Sequence, residues 1–208
     1  MKTVPDDSDV TIQEVCFIGK EAGAYLDSEE FKWSIRVAEV KNYARDLANG
    51  RANMLTIQTF IEEAERIQLV NPKVKIVKLV GKQLLEEGMN LHHAVGRGSD
   101  QEPAAVNLTF MNDHESADIH AVIGKGLVFD NGGLHVKPYG YMEDMYIDKG
   151  GASAALAAFR GVVEAGLKIN ITCSVGLAEN SISATCYRPS DIIKSHNVGD
   201  CLMFRARR

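Results

Sequence analysis

The sequence lacks the features of several protein classes. No run approaches the roughly 20 consecutive apolar residues of a membrane-spanning helix, and residues 1–10 are too acidic and polar for a secretory signal. The 23 basic residues do not outnumber the 28 acidic ones, and a net charge of -5 gives no basic excess to neutralise phosphates. No Cys-x-x-Cys pair occurs, which favours reduced thiols over a disulfide framework. We therefore expect a cytoplasmic protein without membrane or nucleic-acid partners; its cysteines are Cys16, Cys173, Cys186 and Cys201.

The N-terminal half contains two predicted helices with recognisable ends. The first begins after Ser28, an expected N-cap, and stops at Gly50. Its apolar residues recur at steps of three and four, which predicts one apolar stripe. A second helix spans 57–69 after Thr56 and ends before Asn71-Pro72. The predicted stripe consists of Trp33, Val37, Val40, Ala44 and Leu47.

Strands alternate with helices along the chain, which predicts an α/β fold with a mixed sheet flanked by helices. With 208 residues, of which 45% are apolar and 25% charged, the chain can form a packed core. Residues 169–177 are almost continuously apolar, as in a strand covered on both faces. The predicted strands are 15–18, 74–79, 104–110, 118–123 and 169–177, and further helices are predicted at 82–87 and 152–165.

Polar residues that can carry chemistry follow the strand at 118–123. Lys125, Asp130, Lys137 and Asp148 stand among glycines and apolar residues, and ligand sites in α/β proteins lie at such strand ends. Nucleotide-binding patterns fail here, because Gly124-Lys-Gly126 lacks the third glycine of a dinucleotide fingerprint and Lys125 is not followed by Ser or Thr. The spacing leaves two alternatives: a site for hard divalent cations or a glycine-rich loop with solvated charges.

The motifs in and around this stretch resemble those of the leucine aminopeptidase (cytosol aminopeptidase) family. The central run is Val122-Ile-Gly-Lys-Gly-Leu-Val-Phe-Asp-Asn-Gly-Gly133, followed by Lys137 and by Asp148-Lys-Gly-Gly151. Family-like segments lie in order on both sides, and the resemblance covers about residues 28–197. These segments are Ala44-Arg-Asp-Leu-Ala-Asn-Gly-Arg-Ala-Asn-Met-Leu-Thr56, Ala94-Val-Gly-Arg-Gly-Ser99, Ala178-Glu-Asn180 and Arg188-Pro-Ser-Asp-Ile192.

The resemblance implies a metallo-exopeptidase that removes N-terminal, leucine-like residues from peptides and assembles as a homo-hexamer. Lys125, Asp130 and Asp148 match metal ligands for two divalent cations (Zn²⁺, Mn²⁺ or Mg²⁺), with Asp130 bridging them. Lys137 matches the catalytic lysine, which binds the scissile carbonyl and stabilises the developing oxyanion. Met145 matches a residue that lines the pocket for the first substrate side chain. The implied chemistry is attack of a metal-activated water on the N-terminal peptide bond.

The family's second active-site motif, Asn-Thr-Asp-Ala-Glu-Gly-Arg, does not occur in this sequence. We therefore expect at most one weakly held metal and little or no turnover, because two metals need about six to eight donor positions. We expect a short N-terminal remnant at 1–27, the linker helix and an incomplete catalytic domain at 28–197, and a divergent tail at 198–208. Such a tail suggests a retained intron, a frameshift or a mispredicted gene end rather than a short paralogue.

Two other functions are open at this stage: a non-catalytic family member that acts as a binding or assembly subunit, and, less favoured, a nucleotide-binding protein. Several residues near the motifs are not expected to be ligands. His135 is interpreted as a loop residue, the pair His92-His93 as surface or packing residues, and Glu179 as a residue that shapes a turn. Lys149 stands where the family pattern has an apolar residue, and we expect its charge to lie beside the metals.

Overall fold

The computed structural model describes residues 12, 14–20, 22–196 and 202–203. The first eleven residues of the predicted N-terminal remnant lie outside the described residues, and so does the predicted tail at 198–208 except for 202–203. The helices are α1 (Ala22–Leu26), α2 (Glu29–Asn49), α3 (Ile57–Val70), α4 (Lys82–Glu86), α5 (Asn90–Gly96) and α6 (Gly150–Glu164). The strands are β1 (Lys75–Val80), β2 (Ala104–Met111), β3 (His120–Asp130), β4 (Asn170–Asn180), β5 (Ile192–Ile193) and β6 (Leu202–Met203).

Both long N-terminal helices begin where the sequence predicts. The hydroxyl of Ser28 accepts a hydrogen bond from the Phe31 N–H at 3.2 Å, and Thr56 caps α3 in the same way. Each cap satisfies one of the N–H groups that have no partner inside the helix. Helix α2 ends at Gly50, as predicted. Its apolar stripe is only partly covered, because Leu47 is buried while Trp33 remains 45% exposed.

A four-stranded mixed sheet forms the centre of the molecule, in the order β1-β2-β4-β3. Strands β1 and β2 are antiparallel, as are β2 and β4, whereas β3 and β4 run parallel and are connected through α6. This arrangement confirms the predicted α/β class. Parallel neighbours require such a crossover, because a tight turn cannot return the chain to its starting edge.

The core lies between one face of the sheet and helices α3 and α6. Alternate residues of β2 and β4 point into it, as the period of two in a strand requires. Among the described residues, no helix is both long enough and apolar enough to span a membrane. The fully buried core side chains include Phe60, Val106, Leu108, Phe110, Leu156, Phe159, Cys173 and Leu177.

Several elements differ from the sequence-based expectation, and α1, β5 and β6 are among those that were not predicted. Residues 15–18 do not form a strand, and their side chains are exposed. The strand predicted at 118–123 instead runs from His120 to Asp130, because β4 pairs with it along its whole length. Helix α5 was not predicted, and its N-terminus has no side-chain cap that would have marked its start.

Candidate metal centre

A β-bulge in β3 sets the direction of the candidate site residues. The pairing of β3 with β4 shifts between Leu127 and Phe129, so that Val128 is the extra residue. Lys125 and Asp130 are an odd number of positions apart, and in a regular strand they would point to opposite faces. The extra residue restores the same face for both side chains. The bulge therefore makes the Lys125–Asp130 spacing compatible with one shared site.

Close packing of α6 against β3 holds the strand beneath the site. A Cβ atom on Gly124 would lie 2.5 Å from the Ala152 Cα and 2.6 Å from the Gly151 carbonyl oxygen. Only glycine at position 124 permits this approach of helix and strand. The first turn of α6 is thereby fixed directly behind Lys125.

Two lysine–aspartate ion pairs occupy the candidate site. The Lys125 ammonium lies 2.7 Å from the Asp148 carboxylate, and the Lys137 ammonium lies 2.5 Å from Oδ2 of Asp130. The backbone carbonyl of Asp148 also accepts a hydrogen bond from the Leu127 N–H at 3.2 Å, which anchors Asp148 beside β3. Lys125 and Asp148 thus pair beside the middle of β3, and Lys137 and Asp130 pair at its end.

The Asp130 carboxylate is the most strongly held of these groups. Burial alone would raise its pKa, but hydrogen bonds from Lys137, Asn180 and the Gly132 N–H, together with the charge of Lys137, keep the pKa below its ordinary value. The Asn180 amide donates at 2.7 Å and the Gly132 N–H at 3.0 Å. Asp130 is therefore ionised at neutral pH and available as an anionic ligand.

The loop after β3 returns Lys137 to the strand end. Gly132 has a φ of +91°, and a Cβ there would lie 2.5 Å from the His135 carbonyl oxygen. The Lys137 N–H donates to the Asn131 carbonyl at 2.9 Å, which closes the loop. His135 is exposed on it and takes no part in the ion pairs, in agreement with its interpretation as a loop residue.

The predicted pocket residue Met145 opens a short 3-10 helix, Met145–Ile147, directly before Asp148. Its side chain is half-buried. Met145 is thus close to Asp148 in the sequence. Its contact with a substrate side chain stays a prediction.

The expectation for Lys149 is wrong. Its side chain is fully buried and its ammonium donates to the carbonyl oxygen of Gly50 at 2.7 Å and to that of Tyr146. The C-terminal carbonyls of α2 attract positive charge, because they have no partner inside the helix. Burial, and to a smaller extent the charge of Arg51, lower the Lys149 pKa to about 8. This ammonium is directed toward the end of α2 instead of toward the two ion pairs.

Both polar residues of the Ala178-Glu-Asn180 segment form hydrogen bonds with specific partners. The Glu179 carboxylate accepts hydrogen bonds from Ser99, Gln101 and Ser181, which agrees with a structural rather than a ligand role. Asn180 contacts Asp130 directly. The signal for Asn180 was its position at the end of an apolar strand, but its partner could be identified only from the strand pairing.

The histidines His92 and His93 take no part in the two ion pairs. The His92 ring nitrogen Nε2 lies 2.9 Å from the Leu177 carbonyl oxygen, and burial lowers the His92 pKa. This supports the packing interpretation for His92. Its neighbour His93 is also half-buried.

The donor set fits a divalent cation in type but is small. Within the described ranges, no three His, Cys, Asp or Glu side chains are grouped so that they could hold a metal ion. The two aspartates would need the Lys125 amine as a third donor, and that amine can ligate only after losing its proton. Each carboxylate already forms an ion pair with an ammonium group. The negative charge of the two aspartates therefore favours the binding of a cation at this place.

Comparison with known proteins places this arrangement in a family. A model of the cytosol aminopeptidase family, catalytic domain, matches residues 42–200, which include β3, its loop and α6. The chain belongs to the cytosol aminopeptidase family. This confirms the resemblance inferred from the motifs.

Individual relatives are similar to this chain in sequence and in structure. A probable cytosol aminopeptidase of Protochlamydia amoebophila is 31% identical over 195 residues, which are 94% of this chain and 38% of that protein. The structure of leucyl aminopeptidase from Trypanosoma brucei in complex with bestatin superposes with a TM-score of 0.79 and 30% identity, covering 83% of this chain and 33% of that one. The bottromycin maturation enzyme BotP in complex with Mn gives a TM-score of 0.72 and 31% identity, covering 86% and 37%. The chain thus spans between 33% and 38% of the length of these relatives.

Proposed function

We propose that this chain supplies the first part of a metal-dependent aminopeptidase site, which acts on the N-terminal, leucine-like residue of peptides. The observation that carries the proposal is the pair of carboxylates, Asp130 at the end of β3 and Asp148 beside the strand, each of which forms an ion pair with a lysine. The family match and the manganese complex of BotP support it. Peptide substrates, homo-hexameric assembly and a cytoplasmic location belong to the same proposal.

Each residue has a defined part in the proposed site. Asp130, Asp148 and Lys125 would hold the cation, and bound divalent cations would supply Lewis-acid polarisation of the scissile carbonyl and activation of the attacking water. The half-buried ammonium of Lys137 would stabilise the negative charge that develops on the carbonyl oxygen. Met145 would contact the apolar side chain of the first substrate residue.

We further propose that the 208-residue chain alone holds at most one cation weakly and turns over little or no substrate. Two carboxylates and one amine are too few donors for the two metals of a two-metal hydrolase. The native cation would be Zn²⁺, Mn²⁺ or Mg²⁺, all of which accept carboxylate oxygens.

The test combines calorimetric titration with Mn²⁺ and hydrolysis of leucine p-nitroanilide, with and without a chelator. We expect weak Mn²⁺ binding that Asp130→Asn abolishes, while Asp118→Asn, an exposed aspartate just before β3, keeps it. Hydrolysis should remain at background. Chelator-sensitive hydrolysis by the pure chain would contradict the expected inactivity, and failure of the wild type to bind any of the three cations would contradict the metal site.

A further inference from the structure

We propose that Asn180 is a positioning residue that fixes the orientation of the Asp130 carboxylate toward the cation. This inference rests on the proposed metal site and assigns a function to a residue that does not itself ligate. Asn180 ends β4 directly opposite Asp130 in the parallel register. Its side chain is only 5% exposed, so that it cannot turn away into solvent.

The two oxygens of Asp130 have different partners. Oδ1 accepts from the Asn180 amide at 2.7 Å and from the Gly132 N–H at 3.0 Å. Oδ2 faces the Lys137 ammonium at 2.5 Å. Two donors use both lone pairs of Oδ1, which leaves Oδ2 as the oxygen directed to a cation. Asn180 therefore selects which oxygen faces the site.

The backbone of Asn180 also anchors the loop that carries Lys137. Its carbonyl accepts a hydrogen bond from the Asn131 N–H at 3.2 Å, and the Asn131 carbonyl accepts from the Lys137 N–H at 2.9 Å. A side-chain substitution leaves this backbone contact in place. The orientation of Asp130 can therefore be tested separately from the position of the loop.

A purely structural function does not account for the Asn180 side chain. Among the described residues, its Oδ1 is the buried side-chain atom for which no hydrogen-bond partner exists. A buried polar group with an unsatisfied atom destabilises the fold relative to an apolar group of the same shape. Residues that orient metal ligands characteristically serve affinity rather than stability.

The same strand offers a matched control. Asn170 lies at the other end of β4 and is 6% exposed, and its amide donates to the carbonyls of Asp113 and Ser116. Asn170 thus has the burial and chemistry of Asn180 without contact to Asp130. Leucine has nearly the shape of asparagine and no donor, so Asn180→Leu removes the hydrogen bond to Asp130, whereas Asn170→Leu removes the hydrogen bonds to Asp113 and Ser116.

The experiment measures the Mn²⁺ dissociation constant, the urea unfolding midpoint of the metal-free chain, and the amide resonance of Gly132 by NMR. We expect Asn180→Leu to weaken Mn²⁺ binding about 10- to 100-fold, to shift the Gly132 resonance, and to leave the urea midpoint close to that of the wild type. Asn170→Leu should lower the urea midpoint but keep the dissociation constant within about twofold and the Gly132 resonance unmoved.

An unchanged dissociation constant and Gly132 resonance in Asn180→Leu would overturn the inference, as would equal weakening of Mn²⁺ binding by both variants. Should Asn180→Leu not fold, Asn180→Ser, which is too short to reach Asp130, replaces it with the same expected loss. A wild type that binds no Mn²⁺ would overturn the proposed function and this inference together. If the wild type binds Mn²⁺ and Asn180→Leu binds it equally well, only the inference about Asn180 is overturned.

Discussion

Replacing Gly124 by alanine should break the junction between β3 and α6. The added Cβ would lie 2.5 Å from the Ala152 Cα and 2.7 Å from its backbone nitrogen. Carbon atoms in contact normally lie about 3.5–4.0 Å apart, so helix and strand must separate by about 1 Å. Overpacking against side chains destabilises by roughly 1–3 kcal/mol. Because backbone atoms cannot rotate away, we expect about 3 kcal/mol for Gly124→Ala, at the upper end of that range.

Urea unfolding followed by circular dichroism measures this loss. With a slope of roughly 2 kcal/mol per molar urea, the midpoint of Gly124→Ala should fall by about 1.5 M. The control is Gly150→Ala at the start of α6, where a Cβ meets no atom within 4 Å. Alanine is favoured over glycine in a helix by roughly 0.5–1 kcal/mol, so Gly150→Ala should raise the midpoint slightly. An unchanged midpoint in Gly124→Ala would refute the argument that strand and helix are in backbone contact.

Two other perturbations test the buried ionisable groups. The Lys149 pKa of about 8, against 10.5 in the unfolded chain, means that the unfolded state binds more protons between these pH values, so stability should rise with pH across that window. Between pH 7.5 and pH 10, the free energy of unfolding of the wild type should rise by at most about 3 kcal/mol more than that of Lys149→Met. The urea midpoints of both proteins at the two pH values measure this difference. An equal change of midpoint in the two proteins would contradict it. Burial raises the pKa of Cys173 to about 12, so at pH 8 alkylation followed by mass spectrometry should modify the exposed Cys16 and spare Cys173 until the chain unfolds. Modification of Cys173 at the rate of Cys16 would show that the core is open.

Local signals in the sequence predicted much of the fold. Ser28, Thr56 and Gly50 mark helix ends because their capping contacts lie within a few residues. The central strands were predicted because apolar runs report burial directly. The end of β3 was predicted seven residues too early, at position 123 instead of 130. Its glycines indicated a loop, whereas Gly124 in fact permits the approach of α6, and Gly126 lies close to β4 as well as to α6.

The sequence identified the four polar residues of the candidate site, but it did not predict how they are arranged in space. Lys125, Asp130, Lys137 and Asp148 were recognised by their motif, and the structure brings them together as two ion pairs. The Lys149 side chain points to the end of α2, about 100 residues away in the chain. Its position next to Asp148 in the sequence led to the wrong expectation. Asn180 was missed for the same reason, since its contact depends on the register between two strands.

The bulge at Val128 makes the number of residues between Lys125 and Asp130 as important as their identities. Deleting Val128 would restore regular pairing and leave Lys125 and Asp130 four positions apart, still on the same side of the sheet. Inserting one further residue between them would instead turn the two side chains to opposite sides. This part of the strand can therefore lose its bulged residue, but it cannot gain a residue without separating the two candidate ligands. Divergence in this segment should proceed by replacement or by loss of the bulge, and not by insertion of a single residue.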